Sequence, residues 1–135
     1  MTITTYTTYV TNLSLLTITG VTRAYLEPPR QISTADLPIS YVRLPRGGEN
    51  PLTGDATGGW PTLNADLVIV LEPYRQSTQA ANYTLALTML DNVSTALRAS
   101  TNLGRAAARW TIRQDIEQYG DASYWVIIAS VESNG

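Results

Sequence analysis

The sequence predicts a single α+β domain: an antiparallel sheet of four to five strands, with a long helix and an N-terminal helix packed on one face. Three observations carry that expectation. Leu67-Val68-Ile69-Val70-Leu71 is a continuous apolar run of β-formers, which suits a strand buried on both sides. The segment 77–100 repeats apolar residues at three- and four-residue steps, which is helical periodicity. Residues 109–131 then read as two long strands joined by a turn at Gln118-Tyr119-Gly120-Asp121. A length of 135 residues fits one domain able to bury most of its apolar surface.

Taken in order, Ile3, Tyr6, Tyr9, Val10, Leu13 and Leu16 fall at helical spacing. Each threonine of Thr4-Thr5-Tyr6-Thr7-Thr8 costs about 0.5 kcal/mol against alanine in a helix, so this first helix needs tertiary packing to form. A strand or a flexible arm competes with it. Residues 21–26 read as a short strand that Pro28-Pro29 terminates, and 39–44 as the next, bounded by Pro38 and Pro45. Between Pro45 and Pro61 stand five glycines and Pro51 among Asn, Asp and Thr, the composition of a long loop over about 46–60. Loops of this length are often functional. Either this one is an ordinary exposed connection, or it is an arm that orders against a neighbouring subunit through Arg46, Asn50, Asp55 and Trp60. Pro73 stops the apolar strand and leaves Tyr74 and Arg75 at a rim of the sheet, two further candidate contact residues. Ser77 is the expected N-cap of the long helix. Tyr83, Leu87, Leu90 and Leu97, with Val93 beside them, are its expected buried stripe, and Gly104 ends the pattern.

In the hairpin, Trp110, Ile112, Gln114 and Ile116 alternate with Arg109, Thr111, Arg113, Asp115 and Glu117, as in a strand with one buried and one wet face. The returning strand, 123–131, is apolar on both faces, so something must cover it. Asp115 and Glu117 fall about 7 Å apart on one strand face, a spacing a paired-carboxylate hydrolase would need, but arginines beside them favour both staying ionised. A solvated sheet face is the first reading of Arg109, Arg113, Asp115 and Glu117, and ion pairing between subunits the second. Trp110 and Trp125 are assigned to packing, whereas Trp60 suits either packing or a partner.

Composition removes several chemistries. The chain has no histidine and no cysteine, and its nine basic residues are all arginine. There is accordingly no ordinary zinc site, thiol nucleophile or Ser-His-Asp triad. A Schiff-base lysine and a phosphate-binding P-loop are excluded too. No Gly-x-Ser-x-Gly, Gly-x-Gly-x-x-Gly or calcium-loop pattern occurs. No catalytic, cofactor or metal residue is therefore nominated, and no enzyme is expected. A net charge of −2 without clustered arginines argues against tight DNA binding. No apolar stretch reaches membrane-spanning length and the first residues lack a basic signal region, so a soluble protein of the cytoplasm is expected.

The layout resembles the tail terminator, or tail completion, proteins of long-tailed bacteriophages. The likeness rests on Trp60 leading through Asp66-Leu67-Val68-Ile69-Val70-Leu71-Glu72 into Pro73, then a helix, then Arg109-Trp110-Thr111-Ile112-Arg113-Gln114-Asp115 paired with Tyr124-Trp125-Val126-Ile127-Ile128. Upstream, Ala35-Asp36-Leu37-Pro38-Ile39-Ser40-Tyr41-Val42 resembles the family's entry into an early strand. The threonine-rich N-terminus departs from the family, which tends to a charged, strongly helical segment there. The resemblance implies a structural virion protein of the tail-neck region, assembled in the host cytoplasm as a homo-oligomeric, hexameric ring. Its implied partners are the tail tube protein and the head-tail connector or stopper protein, with DNA passing through the lumen unbound. A head-to-tail adaptor is the nearest alternative. A small ligand-binding domain using its tyrosines and Trp60 is the alternative from another class.

Overall fold

The computed structural model describes residues 5–29, 31–45, 50–54, 56, 61–74, 79–99 and 107–134. Its elements run α1 (Tyr6–Ser14), β1 (Arg23–Ala24), a 3-10 turn (Thr34–Asp36), β2 (Ile39–Arg43), β3 (Leu52–Thr53), β4 (Thr62–Pro73), α2 (Gln79–Ala99), β5 (Ala107–Tyr119) and β6 (Ala122–Asn134). The protein has the expected α+β fold, with a six-stranded, mostly antiparallel sheet in the order β1-β2-β4-β6-β5, and β3 beside β4. The strand beyond the expected five is β3, two residues inside the expected 46–60 loop and too short to leave a periodic signal, while β1 is the two-residue remnant of the strand expected over 21–26. β1 runs parallel to β2.

The threonine-rich start is a helix because its cap and its buried face outweigh propensity. The Thr5 hydroxyl accepts the Thr8 N–H at 3.1 Å, a side-chain N-cap. Tyr9 and Leu13 are fully buried. The Tyr9 hydroxyl donates to the Val131 carbonyl at 3.1 Å and the Tyr6 hydroxyl to the Asn64 carbonyl at 2.6 Å, bonding the helix to β6 and β4.

On α2 the buried stripe differs from the expected one. Asn82, Ala86, Met89, Val93 and Leu97 are buried, whereas Tyr83 is 58% and Leu87 46% exposed. Val93 and Leu97 are buried as expected, but in the first half of the helix the true stripe is turned by one residue, about 100°, because it includes a polar and a small side chain, Asn82 and Ala86, that hydropathy does not mark. Asn82 earns its place by donating to the Pro73 carbonyl at 3.4 Å. Ser77 and Gly104, the expected ends, lie outside the described residues.

Two cores flank the sheet. Between sheet and helices lie Leu63, Leu67, Ile69, Leu71, Trp125, Ile127 and Val131, with Trp110 and Ile112 packed at their margin. On the opposite face lie Ile39, Tyr41, Val68, Val70, Tyr124, Val126 and Ile128, covered by Tyr25, Ile32, Leu37 and Tyr119. This second core answers what covers the doubly apolar β6: the 25–37 segment, and the sheet itself. Tyr41 shares a row with Val68, Ile128 and Arg113, so Tyr119 lies six residues further along and three strand positions across. In a flat sheet that is about 20 Å along and about 14 Å across, more than two tyrosine side chains can bridge. Their hydroxyls nevertheless meet at 2.6 Å. The sheet is therefore strongly coiled, folding the β5–β6 tip over its own second face. An irregularity between Val70 and Glu72 in β4 adds a residue against β6, the kind of bulge that sharpens local twist.

Candidate interaction surfaces and the polar network under the hairpin

Charged residues in otherwise apolar strands meet where the coil closes. Arg43 ends β2, Asp66 interrupts β4, and Glu117 stands near the end of β5. The Arg43 guanidinium donates both Nη groups to the Glu117 carboxylate, at 2.7 and 2.9 Å, the planar two-point match that guanidinium and carboxylate favour. Its Nε faces Asp66 Oδ2 at 3.8 Å, too long for a hydrogen bond but within ion-pair range. The Ser130 hydroxyl donates to the other Asp66 oxygen at 3.1 Å. Tyr119 donates its one proton to Glu117 Oε1 at 3.1 Å, so Tyr41 is the donor in the tyrosine pair.

The electrostatics follow from this packing. Burial alone would lower the Arg43 pKa, but the bond to Glu117 and its charge outweigh burial and hold the guanidinium firmly cationic. Burial raises the Tyr119 pKa well above the ordinary phenol value, and the Tyr41 bond and the Glu117 charge add to it. One cation thus faces two nearly buried carboxylates, with a neutral phenol pair as its lid.

The candidate residues scatter over this frame. Arg46, Asp55, Trp60 and Arg75 lie outside the described residues. Asn50 is exposed, and its carbonyl accepts the Asn64 side-chain amide at 2.9 Å. Tyr74 is partly exposed at the rim, its ring 6.2 Å from that of Trp125. Arg109 pairs across the hairpin with Glu132 at 3.2 Å. Arg113 donates to the Ser130 hydroxyl at 3.3 Å. The Asp115 carboxylate accepts the Ile116 N–H at 2.8 Å, bonding its own strand.

Glu117 departs from the solvated face expected of it, because the coil lowers the end of β5 onto Arg43. Asp115 and Glu117, engaged separately in this way, do not form a carboxylate pair free to exchange a proton. Arg43, Asp66, Tyr41 and Tyr119 were not nominated from sequence. The available signal was Asp66 opening an otherwise apolar strand and Arg43 closing one, since charge in a buried strand needs a partner.

Below the network the second face opens into a trough of about 360 Å³ lined by Asn64, Asp66, Arg109, Thr111, Ser130 and Glu132. Among the described residues, no group of three or more acidic side chains is placed to hold a metal ion. Large apolar side chains stand exposed instead: Leu26 and Leu44 near β1 and β2, Leu52 on β3, and Tyr83, Leu87 and Ile116 on α2 and β5. The residues thus define an α+β protein with a nearly buried Arg43–Glu117–Asp66 network and several large apolar side chains at its surface. No protein-family model matches the chain, and no curated protein does either.

Proposed function

We propose that this chain is a structural virion protein that acts by assembly: a ring-forming tail terminator that caps the phage tail tube, ends tube polymerisation and joins the tail to the head connector. The observation that carries this reading is the pair of unlike apolar strips, Leu26 with Leu44 and Tyr83 with Leu87 and Ile116, on one small domain. Side chains of this size cluster at the surface mainly where a partner covers them. A closed ring needs two different complementary faces on each subunit. The strand, helix and long hairpin that carry the resemblance to tail terminators add support, as does a net charge of −2, which suits a lumen that lets DNA pass. On this reading the mechanism is geometric, with no reactive centre and no cofactor.

The test is to add the purified protein to polymerising tail tube protein and follow tube length, tube-end occupancy by electron microscopy and subunit mass by native mass spectrometry. Rings seated on tube ends that stop elongation are expected. Binding to filled heads and not to tubes would reassign the protein as a head-to-tail adaptor, and a monomer that ignores both would overturn the assembly reading.

A further inference from the structure

Resting on that reading, we infer that the wall formed by β5 and α2 is one ring contact, and that the edge carrying β1 and β2 of a second copy of this chain is its mate. β5 pairs only with β6 among the described residues and ends the strand order. No described β5 side chain is buried, and Arg113, Gln114, Asp115 and Ile116 are exposed on both faces, although their β6 partners Ile128, Ile127, Val126 and Trp125 are all buried. Above β5, one flank of α2, with Met89 and Asn92, lies against Gly20 and Thr19. The other flank, carrying Tyr83 and Leu87, therefore faces the β5 side.

A strand of 13 residues is about 43 Å long and about 5 Å wide, and a helix of 21 residues about 31 Å long and about 10 Å thick, so the wall presents roughly 530 Å². That is the scale of the ~800 Å² each partner buries in a standard interface. At the far end of the sheet, Leu26 (59% exposed) and Leu44 (61%) line a groove of about 470 Å³ with Val10, Glu27 and Pro28. The charges are complementary. Among the described residues Arg113 has only a hydroxyl partner and Glu27 makes no ion pair, Arg43, which also lines the groove, being bonded to Glu117. The free edge also protects itself: Asp115 takes the Ile116 N–H at 2.8 Å and Gln114 donates to the Asp115 carbonyl at 2.7 Å, so contact through side chains is favoured over strand addition at this point.

The experiment is a charge exchange measured by native mass spectrometry on the full chain, alone and with tail tubes. Arg113→Glu and Glu27→Arg should each weaken ring formation about tenfold, with the salt dependence of a charged contact, and the double exchange should restore it. Leu87→Asp should weaken it roughly thirtyfold while circular dichroism stays that of the wild type. Rings that form equally well in all three single variants would overturn this contact and leave the assembly reading standing. Wild-type protein that stays monomeric even on tail tubes would overturn both.

Discussion

Replacing Arg43 with methionine should be among the most damaging single changes available in this protein. The substitution keeps a flexible, unbranched apolar stem, shorter than that of arginine, and removes the only cation that pairs with Glu117 and Asp66 among the described residues. Two unit charges about 4 Å apart interact by about 4 kcal/mol at an effective dielectric of about 20. The contact with Glu117 is of that order or closer, with Asp66 adding a weaker share from 3.8 Å. Dispersion gained by the methionine offsets little, because both carboxylates lose the guanidinium while staying under the hairpin. Breaking a buried pair from one side costs about 3–5 kcal/mol, whereas replacing all partners with apolar or neutral groups of similar size is often close to neutral. Urea denaturation at pH 7 should show Arg43→Met losing about 3–5 kcal/mol. The triple variant Arg43→Met, Glu117→Leu, Asp66→Asn should return to within about 2 kcal/mol of wild type. A loss below about 1 kcal/mol for Arg43→Met alone, or a triple variant as unstable as the single, would refute the placement of these charges in a closed, poorly solvated network.

Three further outcomes follow from named contacts. Because the folded state holds the Tyr119 proton more tightly than the unfolded chain, its contribution is full below pH 10 and lost as pH rises beyond it. The unfolding free energy from urea titrations should fall between pH 10 and 11, by up to about 1.4 kcal/mol per unit for each such phenol, and Tyr119→Phe should flatten that slope; an unchanged slope would assign it elsewhere, Tyr6 being the other phenol raised by burial. Gly120 turns the hairpin at φ +63° with nothing within 4 Å of an added Cβ, so Gly120→Ala should cost about 1–2 kcal/mol through backbone strain alone, and a neutral result in thermal melts would show that the turn relaxes freely. Leu97→Ala should cost about 2–5 kcal/mol and Leu87→Ala at most about 0.5 kcal/mol, since one is buried and the other nearly half exposed; equal losses on denaturation would restore the stripe the sequence suggests.

The legible parts of the fold were those where side-chain period and burial coincide. The run 67–71 is buried on both faces, and 123–131 carries apolar residues into two cores, so hydropathy reports them directly. On α2, Val93 and Leu97 were legible, but the first half of the stripe was not, because it includes Asn82, held by a backbone partner, and the small Ala86. β3, of two residues, is fixed by pairing with β4 and carries no periodicity of its own, whereas β1 keeps two residues of the strand expected over 21–26, those that pair with β2. At the candidate surface, the alternation of β5 placed Trp110 and Ile112 correctly on the helix-side core, but Gln114 and Ile116 of the expected buried face are exposed, and which face meets water at Glu117 depends on how far the sheet coils. That is a property of three neighbouring strands, one of which begins nearly eighty residues earlier.

The coil also ties the buried network to the exposed wall. β6 is apolar on both sides, and a flat sheet would leave Val126 and Ile128 in water on the face without helices. At about 25 cal/mol per Å², each such side chain is worth about 1.5–3 kcal/mol when buried, which is enough to drive the tip over that face and to meet the desolvation of Arg43 and Glu117 at the far end. The same movement leaves β5 as a screen one strand thick, with Tyr124 to Ala129 of β6 buried behind it and Arg113 through Ile116 wet on both faces. An edge of that length is a hazard unless it is charged, self-bonded or covered. Here it is charged by Arg113 and Asp115 and bonded to itself through Asp115 and Gln114, while Tyr83 and Leu87 above it remain uncovered. The edge is thus guarded against indiscriminate strand pairing yet open to a partner that brings an apolar groove and a carboxylate, the combination that Leu26, Leu44 and Glu27 present at the other end of the sheet.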